Sequence, residues 1–451
     1  MTTTDDGMTR RRFGRVMLAG GGFWLLGCSS SADSAGAPGP TTTATAVPAS
    51  VPTTVPTMVP TTPPPSAIVT LVGSVTERSR DPRADGVAVN GVVAGFNEFS
   101  LTAYRARAAQ TDGNVLLATY SLALALSLAS AGTAGDTRSA FARLLGVATV
   151  DPADRHAAVN AVDLILQSRG NEDVVIATAN RVFVAPGLAM VEAFLDTAVR
   201  DYDAAVGQAD FAGAGDAVVE EVNRWVGEQT DGFLTKAVQS FSPFTVIALV
   251  NVIFLKASWG VDFRDIGPGR FDTGSESISV PRFGHDDFLP QHHGDDFVAV
   301  EMPYHGGTMS MVLIVPDNLS TFEESLDTGR LATILDGLVE EGIHLSVPKW
   351  KFEQTTDALE LLEPFGLPVS GDFSAMFEGG ERGYFIHQVH HQTRIEVDEK
   401  GTRAAGSTNV AIAGSHGPTV DVDRPFLYVI RDRGSGLVLF VGRVTDPRQQ
   451  S

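Results

Sequence analysis

IEVDEKGTRAAGSTNVAIAGSHGPTVDVDRPF, residues 395–426, begins and ends as extended chain, and the part between fits two descriptions. Ile395 and Val397 alternate with Glu396 and Asp398, the period-2 pattern of a half-buried strand, and Glu399-Lys400-Gly401 then turns the chain. From Thr402 onward the even positions Thr402, Ala404, Gly406, Thr408, Val410 and Ile412 are small or apolar, whereas the odd ones include Arg403, Ser407 and Asn409. That alternation is again a strand pattern, with one face buried and one wet. Yet no bulky residue occurs before Val410, and the run ends in Gly414-Ser415-His416-Gly417-Pro418, which is the chemistry of an exposed loop. The same residues therefore suit a loop and suit a strand.

Working outward, the chain has 451 residues, more than the ~250–300 at which a single core usually stops growing, so length alone predicts a second domain. Hydrophobic residues at 43% and charged ones at 19% describe a globular chain rather than a disordered one. The formal net charge is −21, and no Lys/Arg run offers a patch to neutralise phosphates, which excludes nucleic acid as the expected partner.

The first residues read as an address. Thr9-Arg10-Arg11-Arg12-Phe13 precedes an apolar run over residues 16–26 and resembles a twin-arginine export signal, and Leu25-Leu26-Gly27-Cys28 resembles a bacterial lipobox. The run is far shorter than the ~20 residues a membrane span needs. Cys28 is the single cysteine and so cannot form an internal disulfide; lipid attachment explains it. The expected divisions are a signal peptide over residues 1–27, a lipid-anchored Ser/Thr/Pro-rich linker over 28–67 and a folded domain over 68–451. The product would be exported and anchored to the outer face of the cytoplasmic membrane as a lipoprotein, or extracellular. Val51-Pro52-Thr53-Thr54-Val55-Pro56 and Pro63-Pro64-Pro65 typify the linker, a polyproline-biased tether that at ~3.1 Å per residue reaches at most on the order of 120 Å.

Beyond the tether, residues 93–107 carry Phe96, Phe99 and Tyr104 near helical spacing, and the run over 122–131, small and apolar all round, predicts a central helix. Residues 174–184 read as a strand. Around residues 220–232, Val218, Val222, Trp225 and Gln229 form one helical stripe. Residues 248–256 are a continuous β-branched run, as expected of a strand covered on both faces.

Glu399-Lys400-Gly401-Thr402-Arg403-Ala404-Ala405-Gly406-Ser407-Thr408 resembles the hinge of an inhibitory serpin's reactive-centre loop. Residues 420–430 fit the signature that follows such a loop, and Leu439-Phe440-Val441-Gly442-Arg443-Val444 resembles the C-terminal strand. The resemblance spans roughly residues 90–447. It implies an α+β fold with three sheets, about nine helices and an exposed reactive-centre loop, and so one domain rather than two. It also implies a gate: Asn251, Lys256 and Trp259 match the strand beside the point of loop entry, and Asn251 is expected to pair with His391 in a polar cluster with Ser121. Ala118 and Thr119 depart from the family's usual Ser-Pro at that place, which leaves the cluster one hydrogen bond short.

The function implied is suicide-substrate inhibition of a serine protease, in which the cleaved loop inserts into the main sheet and traps the acyl-enzyme; the alternative is a non-inhibitory serpin acting as a binding or structural lipoprotein. Small inward residues in the hinge, with Arg403 facing out, favour inhibition. The reactive bond falls at Ser415-His416 counted from the hinge, and at Gly414-Ser415 counted back from Arg424-Pro425-Phe426. With Ala413, Gly414 or Ser415 on the acyl side and no Arg, Lys or aromatic residue between Thr408 and His416, an elastase-like or subtilisin-like protease is the expected partner, and a papain-like cysteine protease a lesser one. The chain is expected to be a monomer that meets the membrane through its lipid anchor alone.

Other chemistries find little support. Ser415 in Ala413-Gly414-Ser415-His416-Gly417 lacks the helix that must follow a nucleophile elbow, since an extended segment follows. His292-His293 and His390-His391 are adjacent pairs that point to opposite faces of a strand, which suits no metal. Gly20-Gly21-Gly22 belongs to the export signal and not to a phosphate loop. The reading is of a chain that is not an enzyme and carries no cofactor or metal.

Overall fold

A computed structural model describes residues 66–368, 370–379, 386–402 and 417–449. Cys28, the signal region, the hinge from Arg403 to Thr408 and the reactive-bond residues Ala413, Gly414, Ser415 and His416 lie outside the described residues. The described part is one compact α+β unit.

The main sheet has seven strands in the order β1 (Ile68–Leu71), β4 (Ala205–Ala209), β3 (Val174–Val184), β5 (Ile247–Ser258), β13 (Gly401–Thr402), β12 (Ile386–Asp398) and β11 (Trp350–Asp357). The second sheet runs β14 (Thr419–Asp421), β10 (Val339–Pro348), β7 (Ser277–His293), β8 (Phe297–Pro303), β9 (Met309–Pro316), β15 (Phe426–Asp432), β16 (Val438–Val444) and β2 (Val115–Leu117), with β6 (Arg264–Asp272) added on β7. Three sheets were expected. Two of them are joined here because β7 is 17 residues long: its first part pairs with β6 and β10, and its end, Gln291 to His293, pairs with β8.

Among the described residues there are nine α-helices: α1 (Gly86–Ala108), α2 (Thr119–Ala131), α3 (Gly135–Leu144), α4 (Arg155–Gln167), α5 (Glu192–Tyr202), α6 (Gly215–Gln229), α7 (Leu319–Ser325), α8 (Thr328–Asp336) and α9 (Ala358–Leu362). Helix α2 is buried from Thr119 to Ser130, as an all-round apolar sequence requires. Asp85 caps α1 by accepting from the Ala88 amide.

Strand β5 sits between two apolar clusters. Ile247, Leu249, Ile253, Leu255 and Ala257 face the main core with α2, while Ala248, Val250, Val252 and Phe254 face α6. The face of α6 that packs there is Val218, Val222 and Val226, with Trp225 half-buried and Gln229 exposed. The predicted stripe holds for Val218 and Val222; Val226 rather than Trp225 completes the packed face, and Gln229, the last residue of the helix, is exposed.

The first described residues are tied to α6. The Ser66 hydroxyl donates to the Ile68 carbonyl at 2.7 Å, and the Ala67 amide donates to Glu221 of α6 at 3.1 Å.

Candidate functional site

The site is the place where β5 and β12 part. At one end they pair directly and in parallel, Ile386 with Ile247 and Gln388, Val389 and His390 with Ala248, Leu249 and Val250. At the other end they are separated by β13, whose Gly401 and Thr402 pair antiparallel both with Asp398 and Val397 and with Ser258 and Ala257. Between these ends no ladder joins the two strands: Asn251 to Lys256 pair only with β3, and His391 to Glu396 only with β11. Among the described residues, two strand edges therefore face each other with no ladder across the cleft, the arrangement that templates one more strand.

The hinge enters this cleft through a tight clasp. Gly401 has φ +142°, and a Cβ there would lie 2.1 Å from the Ala257 carbonyl oxygen, so only glycine fits. Thr402 follows at 4% exposure, and its Oγ1 lies 2.7 Å from the Tyr304 hydroxyl. Tyr304 stacks on Trp259 with 4.8 Å between ring centres and 4° between planes, and the Trp259 indole N–H donates to the Asp398 carbonyl at 2.8 Å. Burial raises the Tyr304 hydroxyl's pKa, so it stays protonated, and either hydroxyl of the pair can donate.

Outside the clasp, the Lys349 ammonium bridges Asp265 and Glu399, 2.6 Å from each. Desolvation is the largest influence on Lys349 and lowers its pKa, but its bonds to Asp265 and Glu399 together outweigh it and the net shift is upward. Glu399 goes the other way: desolvation raises it, and the Lys349 contact with the other bonds leaves it below the usual carboxylate range.

The gate residues come together in part. His391 and Thr393 point to the α2 side, and the buried His391 Nε2 accepts the Ala118 amide at 3.2 Å. Burial pushes its pKa down to about 4, so the ring is neutral and its proton sits on Nδ1. His390 points the opposite way, edge-on to Phe241 at 5.4 Å between ring centres. The expected Asn251–His391 pairing is not what the structure shows: the Asn251 side-chain amide donates to Asn180, directly opposite it on β3, and among the described residues the Ser121 hydroxyl and the Asn251 carbonyl oxygen have no hydrogen-bond partner. The reason is register: Asn180 is Asn251's antiparallel neighbour, whereas His391 lies across the unpaired cleft.

Sequence reasoning missed Asn180 and Tyr304. A signal for the first existed, since one Asn interrupts each of two apolar runs that pair. None existed for the second, because Tyr304 comes from the turn between β8 and β9, 98 residues before Thr402. Arg282, also missed, fixes the strand after the loop: its buried guanidinium donates to the Arg270, Ser346 and Val422 carbonyls and pairs with Asp421 of β14.

A model of the serpin family, described as serine protease inhibitor, matches residues 94–447. An uncharacterised serpin-like protein of Thermococcus kodakarensis is 29% identical over 371 residues, covering 79% of this chain and 86% of its own. Mouse (Mus musculus) neuroserpin is 27% identical over 393 residues, 80% of this chain and 95% of that one. Among solved structures, the thermophilic serpin tengpin in its native state has a TM-score of 0.71 at 23% identity, covering 83% of this chain and 97% of its own. Human thyroxine-binding globulin complexed with its hormone gives 0.73 at 22% identity, covering 80% and 100%. At these identities the structural likeness speaks for the fold.

Proposed function

The chain belongs to the serpin family, most of whose members inhibit proteases, and from that premise we propose that it traps a serine protease by inserting its own cleaved loop. The observation that supports this reading is the two-residue wedge: β13 lies between β5 and β12, and among the described residues no ladder joins the edges beyond it.

Continuing the registers of β13 indicates what insertion would do. If Gly401 opposes Ser258 and Asp398, and Thr402 opposes Ala257 and Val397, then six further residues bring Thr408 level with both Asn251 and His391. The two registers agree on that residue. The unsatisfied Asn251 carbonyl oxygen and Ser121 hydroxyl would then meet a new hydroxyl beneath the sheet. The even positions of the hinge would face the core, as Thr402 does, and the odd ones, Arg403 among them, the α6 side.

In this reading the protease's serine attacks the carbonyl of Ser415 or Gly414, forming an ester, and the peptide beginning at His416 or Ser415 leaves as the amine. The acylated end then travels with the inserting strand. About a dozen residues at ~0.5–1.5 kcal/mol per backbone hydrogen bond give on the order of 10 kcal/mol. Displacing a catalytic triad and oxyanion hole by ~1 Å needs less.

Small residues around the bond suit an elastase-like or subtilisin-like target. Mixing the chain with such a protease should give a complex that survives detergent, with a released C-terminal peptide starting at Gly414, Ser415 or His416. Thr408→Arg should be cleaved without trapping, because insertion would carry its charge beneath the sheet, level with Asn251 and His391. Cleavage without any trapped complex in the parent chain would instead favour a non-inhibitory serpin. We also propose that acylated Cys28 tethers the domain outside the cell. Cys28→Ser should then leave the membrane fraction, and its retention after a salt wash would refute the anchor.

A further inference from the structure

The turn that carries Tyr304 has a second face. Past Gly306 and Gly307, both at positive φ, the chain borders a notch of about 430 Å³ lined by Arg169, Gly307, Thr308, Arg431, Arg433 and Gly434. Three arginines in one notch run against the character of a chain with net charge −21.

Their counter-charges lie underneath. Asp432 takes Arg169 through Nε at 2.8 Å and Nη2 at 3.3 Å, and also accepts the Ser435 amide and hydroxyl at 2.8 and 2.6 Å. Glu301 takes Arg431 through Nε at 3.2 Å and Nη2 at 2.8 Å, Arg433 at 3.3 Å and the Ser310 hydroxyl at 2.7 Å. Both carboxylates are shut off from solvent, at 1% and 2% side-chain exposure, while Arg169, Arg431 and Arg433 show 25%, 14% and 39%. The exposed charge of the notch is thus wholly cationic, and three guanidinium groups over two carboxylates leave one positive charge unbalanced. The exposed Asp173 beside the same turn faces the His305 imidazole at 3.5 Å.

Each arginine uses only two of its five N–H donors in these bonds; Arg433 spends its second on the Gly307 carbonyl at 3.1 Å. The buried acids hold the planar forks in place, so the remaining donors are fixed before any ligand arrives. Planar forks of fixed orientation match the oxygens of a tetrahedral anion.

We propose that this notch is a binding site for a phosphate-type oxyanion, either free or as the headgroup of a lipid. The site adjoins the hinge clasp: the Gly307 amide donates to the Tyr304 carbonyl at 2.9 Å, the Arg433 amide to the Thr308 carbonyl at 2.8 Å, and the Tyr304 hydroxyl holds Thr402. Binding itself does not depend on protease inhibition, so its test is separate from that of the inhibitory reading.

The test is calorimetric titration of the full chain with sodium pyrophosphate at fixed ionic strength, with sodium chloride as control. A parallel arm measures flotation of the Cys28→Ser chain with phosphatidylglycerol or phosphatidylcholine vesicles, so that no acyl chain confuses the result. One saturable site for pyrophosphate, or selective flotation with phosphatidylglycerol, is expected, and the arm that responds identifies the source. Arg433→Gln should weaken binding at least tenfold. Thr308→Glu leaves all three arginines and their buried partners in place, so it decides the matter if Arg433→Gln does not fold; it too should weaken binding at least tenfold. Absence of saturable binding in both arms, or unchanged affinity in Thr308→Glu, would overturn the proposal.

Discussion

Two histidines set the response of this fold to acid. His391 sits under the sheet, and His156 has its Nδ1 2.6 Å from the Tyr202 hydroxyl; burial is the main reason that both are held down to about 4, with Arg155, Arg138 and Arg200 adding to it at His156. In the unfolded chain both would take a proton below about 6.5. Between those values the unfolded state binds more protons, so the stability they confer is complete above about 6.5 and is lost as pH falls toward 4. The loss is on the order of 3 kcal/mol for the fully buried His391 ring and smaller for His156, which is partly exposed. Denaturant unfolding between pH 7 and 4.5 should show that decline, and His391→Gln should flatten it; an unaltered slope would remove His391 from the account. At this scale the sequence spoke unevenly. The inward parity of Thr402 followed from alternation alone, but the hydroxyl that receives it came from a distant hairpin, and Asn251's partner depended on a strand register that no local pattern contains.

Among the elements, α6 and β1 form a unit that local patterns disclosed only in half. Val218 and Val222 on the packed face of α6 were legible from spacing, whereas Val226 was not part of the predicted stripe. Strand β1 was not, because its four residues gain their identity from β4, far along the chain. Ile68 packs with Val218 and Val222, and Glu221 accepts from the Ser66 hydroxyl at 2.8 Å and the Ala67 amide at 3.1 Å. The start of the described chain is therefore fastened to the helix that covers β5. Glu221→Ala should lower stability by about 1 kcal/mol, as these bonds are solvent-exposed and modest. A denaturant midpoint unchanged from the parent would show that the β1–β4 ladder alone holds this end. The length of β7 was equally hidden: a strand that leaves one sheet and enters another looks, in sequence, like any long extended run.

Over the whole molecule, the feature that organises the rest is a seven-stranded sheet that is complete at one end and wedged apart by two residues at the other. Residues 395–426 could be read both as loop and as strand, and the described ends of that stretch are strand: Ile395 to Asp398 close β12, Gly401 and Thr402 form the wedge, and Thr419 begins β14. If the loop inserts as proposed, filling the cleft between β5 and β12 should release free energy that the intact loop withholds. The direct measurement is thermal unfolding of the chain before and after a single proteolytic nick between Val410 and Gly417. The account predicts a midpoint that rises, because the freed strand fills the sheet. A midpoint that falls or stays the same would contradict it.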